Sequence, residues 1–75
     1  MLNIVVINRN DNYVEYEWNS LKDFVSDIDS DNENIPMLDD TLVEVNTDNE
    51  RLNSWWRDTC YDKVNDLYEM CRQNF

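Results

Sequence analysis

Residues 2–18 read LNIVVINRNDNYVEYEW, and this stretch decides the fold. Residues 2–7 are an apolar run rich in Ile and Val, the composition of a well-buried strand. Asn8, Arg9, Asn10, Asp11 and Asn12 follow, a cluster dense in turn formers. Residues 13–18 then alternate, with Val14, Tyr16 and Trp18 on one face and Tyr13, Glu15 and Glu17 on the other. Two such runs joined by a short polar link predict a β-hairpin with one face turned to a core.

Downstream of the hairpin the period changes from two to that of a helix. Ser20 suits an N-cap, and Leu21, Phe24, Val25 and Ile28 recur at i, i+3, i+4 and i+7, which predicts a short amphipathic helix over 20–29. The polar segment Asp29 to Asn34 ends it, and Pro36 disfavours helix at Ile35. Residues 41–46 read as a third strand, with a turn over 46–49. Trp56, Cys60, Val64, Leu67 and Cys71 then form one stripe, which predicts a single long helix from Asn53 or Ser54 to Arg72. The expectation is one domain over 1–75 of the α+β class. Its small antiparallel-rich sheet, hairpin plus third strand, packs with a short and a long helix in the order ββαβα.

Composition bounds the chemistry. In 75 residues there are 17 carboxylates against 6 basic side chains, a formal net charge of −11. Yet 41% of residues are apolar and 12% aromatic, so the chain can fill a core and does not read as an acidic disordered tail. Glycine, alanine and histidine are absent, while asparagine occurs 12 times. Without glycine there is no P-loop, no dinucleotide fingerprint and no nucleophile elbow. Left-handed turn positions then fall to asparagine. Without histidine the commonest general base and metal ligand is missing. No nucleophile–base set appears, so no catalytic residue is assigned and an enzyme is not expected. No cofactor is implied either. The bias toward Asn, Asp, Ile and Tyr suggests an AT-rich genome, such as that of a low-GC bacterium or its phages. The apolar run at 2–7 is too short for a signal peptide and no stretch approaches a membrane span, so the expected location is the cytoplasm. Cys60 and Cys71 then read as reduced, buried thiols, too far apart on one helix to pair.

The carboxylates gather in three sets. Asp58, Asp62 and Asp66 recur every four residues on the predicted long helix, with Glu69 beside the row. Like charges at that spacing destabilise a helix, so the row has a cost. Asp23, Asp27, Asp29, Asp31, Glu33, Asp39 and Asp40 form a second set, and Glu15, Glu17 and Glu44 a third on the exposed strand face. Spaced carboxylates on a rigid scaffold can present the charge pattern of a nucleic-acid backbone, which carries about one charge per 1.7 Å of duplex axis. The plain alternative is a solvated face that keeps a small protein soluble. Asp27, Asp29 and Asp31 have the spacing that opens a calcium loop, but Asn32 stands where glycine belongs, or Pro36 falls inside, so no metal site is assigned. Trp55 and Trp56 point about 100° apart on a helix, which leaves Trp55 as a candidate interface anchor, with Tyr61 beside it and Tyr13 and Tyr68 on the outer faces. Six scattered basic residues make no nucleic-acid-binding patch.

In size, in charge and in the sets around Asp58, Asp29 and Glu15, the chain resembles the small acidic inhibitors that phages and mobile elements direct against host defence, the anti-CRISPR and antirestriction DNA-mimic proteins. No signature motif is matched. The resemblance implies occlusion of a basic nucleic-acid-binding groove on a partner such as a defence nuclease. The competing expectation is an acidic adaptor or regulatory module that binds its partner through exposed aromatics.

Overall fold

The computed structural model describes residues 1–59 and 63–74. Strands β1 (Leu2–Ile7) and β2 (Tyr13–Trp18) form the predicted hairpin, with Leu2 opposite Trp18 and Ile7 opposite Tyr13. Its loop is closed by the Asn8 side chain, whose Oδ1 accepts from the backbone N–H of Asn10 at 2.9 Å and of Asn12 at 3.2 Å. The left-handed positions among the described residues are taken by Asp11 (φ 61°) and Asp31 (φ 54°), not by asparagine as expected. Both residue types tolerate this region through local side-chain hydrogen bonding.

Helix α1 (Leu21–Ser30) follows, its N-cap Ser20 accepting from the Asp23 N–H at 3.1 Å. Strand β3 (Thr41–Thr47) pairs antiparallel with the free edge of β1, giving the sheet order β2-β1-β3, with a register shift between Val5 and Val6. The α+β class and the antiparallel sheet are therefore as the sequence predicts. The long helix is not. Residues 50–74 carry two helices, α2 (Glu50–Asp58) and α3 (Val64–Asn74), and the order is ββαβαα.

The break has a physical cause. Thr59 leaves helical geometry (φ −82°, ψ 149°), and Lys63 forms an antiparallel bridge with Thr41 at the start of β3. Helix α3 then begins against the preceding loop. The Val64 N–H donates to the Asp40 carbonyl at 3.1 Å and the Asn65 N–H to the Leu38 carbonyl at 2.9 Å. Two donors that a helix start leaves unpaired are thus satisfied by main chain instead of a capping side chain. Helix α2 starts earlier than predicted because Asn49 caps it, accepting from the Leu52 N–H at 3.0 Å.

The inward faces of all elements share one core. Leu2, Ile4 and Val6 of β1 are fully buried beneath Phe24 of α1, Leu52 of α2 and Val64 and Leu67 of α3. A domain of this size holds a total stability of about 4–11 kcal/mol. Truncating one such side chain to alanine costs about 2–5 kcal/mol, enough to unfold a large fraction of it. Trp18 completes the core in edge-on contact with Phe24 (4.7 Å between ring centres), and the Tyr16 ring lies nearly parallel to the indole at 6.1 Å. With the helices on one face, the opposite face of the sheet is left open. Among the described residues no helix is long and apolar enough to cross a membrane.

Candidate functional site

The open sheet face carries one of the predicted acidic sets. Glu15 and Glu44 lie on either side of Val5 in the strand register, and Glu17 and Asn46 on either side of Asn3. Strand spacing sets the backbones of Glu15 and Glu44 about 10 Å apart. Asn3 links the rows: its Nδ2 donates to Glu15 Oε2 at 2.6 Å and its Oδ1 accepts from Asn46 Nδ2 at 3.5 Å. Glu15, Glu17 and Glu44 are all exposed.

Around the corner of β2 the fold joins two sets that are separate in sequence. Glu17, Asp23 and Asp27 line one open polar groove together with Asn19 and Ser26. Asp23 is placed there by the Ser20 cap. Asp27 is held on both oxygens, accepting from the indole N–H of Trp18 at 2.8 Å and from Asn32 Nδ2 at 2.9 Å. Asp29, one turn end away, accepts from the Tyr68 hydroxyl. Asp31 is the left-handed cap of α1 and is exposed, as are Glu33 and Asp39. Asp27 and Asp29 therefore belong to a helix and Asp31 to its cap, a geometry that does not build a calcium loop. Among the described residues no group of three His, Cys, Asp or Glu side chains converges to hold a metal ion.

Asp40 departs from its expected role. It is buried (5% exposed), and its Oδ2 accepts from the Met37 N–H at 3.0 Å while its carbonyl caps α3. It builds the loop, and in the free chain its side chain is turned inward. Tyr68 is a second departure. Expected on an outer face, it is buried between α3 and α1 (9% exposed), with the Arg72 guanidinium 5.9 Å from its ring centre. Its hydrogen bond to the Asp29 carboxylate, followed by burial, raises its pKa above the ordinary tyrosine value. Tyr16 is also raised, first by burial and then by the nearby Asp40 charge.

The helical row is dismantled by the break between α2 and α3. Asp58 ends α2 and is exposed, whereas Asp66 lies in the first turn of α3. Asp62 and Tyr61 lie outside the described residues, as does Cys60. What the fold does bring together is Trp55 with Asp66 and Glu69, which line one shallow groove with Met70. Trp55 and Trp56 are both half-buried against the core, their ring centres 6.3 Å apart, so neither stands free. Cys71 is a buried free thiol whose pKa burial pushes up to about 12.

Carboxylates outnumber basic side chains 17 to 6. The ion pairs formed between described residues join the N-terminal ammonium to Asp48 at 3.2 Å and Arg9 to Asp39 at 3.7 Å. The first of these lowers the Asp48 pKa, chiefly through its hydrogen bond to the ammonium. One surface feature was not legible as a site in the sequence. Met37 and Leu38, adjacent in the loop after Pro36, are 56% and 41% exposed over an apolar groove. The only signal was the apolar run Ile35, Pro36, Met37 and Leu38 inside an acidic segment. Compared with protein-family models, with curated proteins and with solved structures, the chain matches none of them.

Proposed function

We propose that this chain is a stoichiometric, non-enzymatic inhibitor that occupies the cationic nucleic-acid-binding groove of a partner protein, such as a defence nuclease. The observation that carries the reading is the density of uncompensated carboxylate. Eleven net charges on a body 31 Å long amount to about one per 3 Å, against about one per 1.7 Å for duplex DNA. They are held on rigid elements: Glu15, Glu17 and Glu44 on strands, Asp23 and Asp27 on α1, Asp66 and Glu69 on α3. Because Asp58 and Asp66 belong to different helices, the mimicry is drawn from carboxylates gathered across β2 and α1 in space, not from a row along one helix. Association through such a surface is fast and strongly salt-dependent.

The test has two steps. The immobilised chain is exposed to a low-GC bacterial lysate, bound proteins are eluted by a salt gradient and identified, and each is purified and assayed for DNA binding. The expected partner leaves at moderate salt. It loses DNA binding in proportion to added chain, but not to a Glu15→Lys, Glu17→Lys, Asp23→Lys variant. A partner retained through high salt, without nucleic-acid function and lost on Trp55→Ala, would overturn the proposal in favour of the adaptor.

A further inference from the structure

The segment between α1 and β3 forms an open groove of about 630 Å³, within the range of about 300–1,000 Å³ that clefts taking small ligands occupy. Its floor is apolar, built by Ile28 from the last turn of α1 and by Ile35 and Pro36. Met37 and Leu38 form its lip, and they are two of the few large apolar side chains that the described surface exposes. Its rim is anionic: Asp31, Glu33 and Asp39 surround the apolar floor, all three exposed. This segment is also anchored. Asp40 ties back to Met37, and the Leu38 and Asp40 carbonyls hold the start of α3, so the Met37 and Leu38 side of the groove is fixed to the fold.

We infer that this groove docks a short basic, apolar-anchored segment of a partner protein, with one or two large aliphatic side chains seated on Ile28, Ile35 and Pro36 and flanking Lys or Arg side chains on the rim. Charge complementarity selects this occupant. A second copy of the chain would bring another −11 against the same rim. A purely cationic ligand would leave Met37 and Leu38 in water. The rim already receives a guanidinium, since Arg9 lies 3.7 Å from Asp39 at this edge. A partner's arginine would take the equivalent place beside Asp31 or Glu33. The inference deepens the proposed function by naming a second contact, made through apolar side chains as well as charge, but it stands whether or not the partner binds nucleic acid.

The probe is a fluorescein-labelled hexapeptide with two leucines flanked on each side by two basic residues. Its control carries two serines in place of the leucines. At about 0.15 M salt, where long-range attraction is screened, the leucine peptide is expected to bind about tenfold more tightly than the control, the worth of burying a few methylenes. Its amide shift changes should concentrate at residues 28–39. The Met37→Ser, Leu38→Ser variant should lose that tenfold difference and keep its other amide shifts, since both side chains are exposed. Equal binding of the two peptides, or shifts centred elsewhere, would overturn the inference, because a diffuse acidic surface attracts any basic peptide. So would sedimentation of the free chain as a dimer that the double variant dissolves, which would assign the groove to a second copy. None of these outcomes depends on the DNA-competition assay, so failure of the groove and failure of the mimicry are read separately.

Discussion

The Tyr68 hydroxyl donates a hydrogen bond to the Asp29 carboxylate, tying α3 to α1 across 39 positions of chain. The bond needs the proton on the phenol, and it raises the Tyr68 pKa above the ordinary value of 10.0. A tyrosine whose folded pKa is raised adds stability that is fully present below pH 10 or so and is lost as pH rises through the folded value. The chain should therefore weaken in the alkaline range, and Tyr68→Phe should remove that part of the pH dependence. A difference titration at the tyrosinate absorbance band, wild type minus Tyr68→Phe, should place the missing step above the usual tyrosine range, and Asp29→Asn should bring it down. A missing step at the usual value would show that the bond is absent in solution.

Trp18 gives a companion test on the other side of α1. Its indole N–H is 2.8 Å from Asp27 Oδ2 and its ring is nearly buried, so Asp27→Ala leaves a donor without a partner. Losing a part-buried bond beside an open groove, where water can take up the donor, costs about 1 kcal/mol, and Asp27→Asn, which keeps an acceptor, should cost less. Urea unfolding followed by tryptophan fluorescence checks the order of the three proteins. Equal stability of the alanine and asparagine variants would mean that Asp27 serves only its exposed face, as an interface carboxylate would.

How much of this was legible in the sequence follows the range of the interactions involved. The hairpin, α1 and β3 are set by local signals, alternation over 13–18 and the Ser20 cap, and the structure follows them. The split between α2 and α3 is not local. Trp56, Val64, Leu67 and Cys71 keep a helical period straight through it, because both helices turn apolar side chains into the same core. The break comes from pairings between Lys63 and Thr41 and between Val64 and Asp40, which join positions about two dozen residues apart. The site suffered in the same way. Glu15 and Glu17 could be placed on an open face by parity alone. That Asp40 and Tyr68 are internal depends on which loop meets which helix, and no periodicity carries that. Their chemistry, a carboxylate and a phenol, is the same whether the group faces water or a neighbour.

Cysteine reactivity separates local from tertiary burial. Cys71 is almost wholly buried, and with its pKa pushed up to about 12 it holds almost no thiolate at neutral pH. A disulfide reagent at pH 8 should leave Cys71 unlabelled in the folded chain and label it in urea, with peptide mass mapping assigning the site. Native labelling of Cys71 at the rate of a free thiol would mean that α3 opens from α1 readily, and the Tyr68 to Asp29 bond with it.

Asp58 offers the clearest separation of stability from function. It is the last residue of α2, where the helix dipole presents its negative end, and it is exposed. A cation there is favourable by about 0.3–1 kcal/mol, and Asp58→Lys also lowers the magnitude of the net charge, which opposes compaction. The substitution should therefore raise the midpoint of thermal unfolding at low ionic strength, and the gain should shrink in about 0.5 M salt as both effects are screened. If the carboxylate is kept for a partner, the stabilised variant should bind that partner less well. Higher stability with undiminished binding would place Asp58 outside the interface and leave the carboxylates of β2 and α1 to carry it. Unchanged stability at low salt would mean that the end of α2 is already compensated, with Arg57 of the same last turn the group to test next.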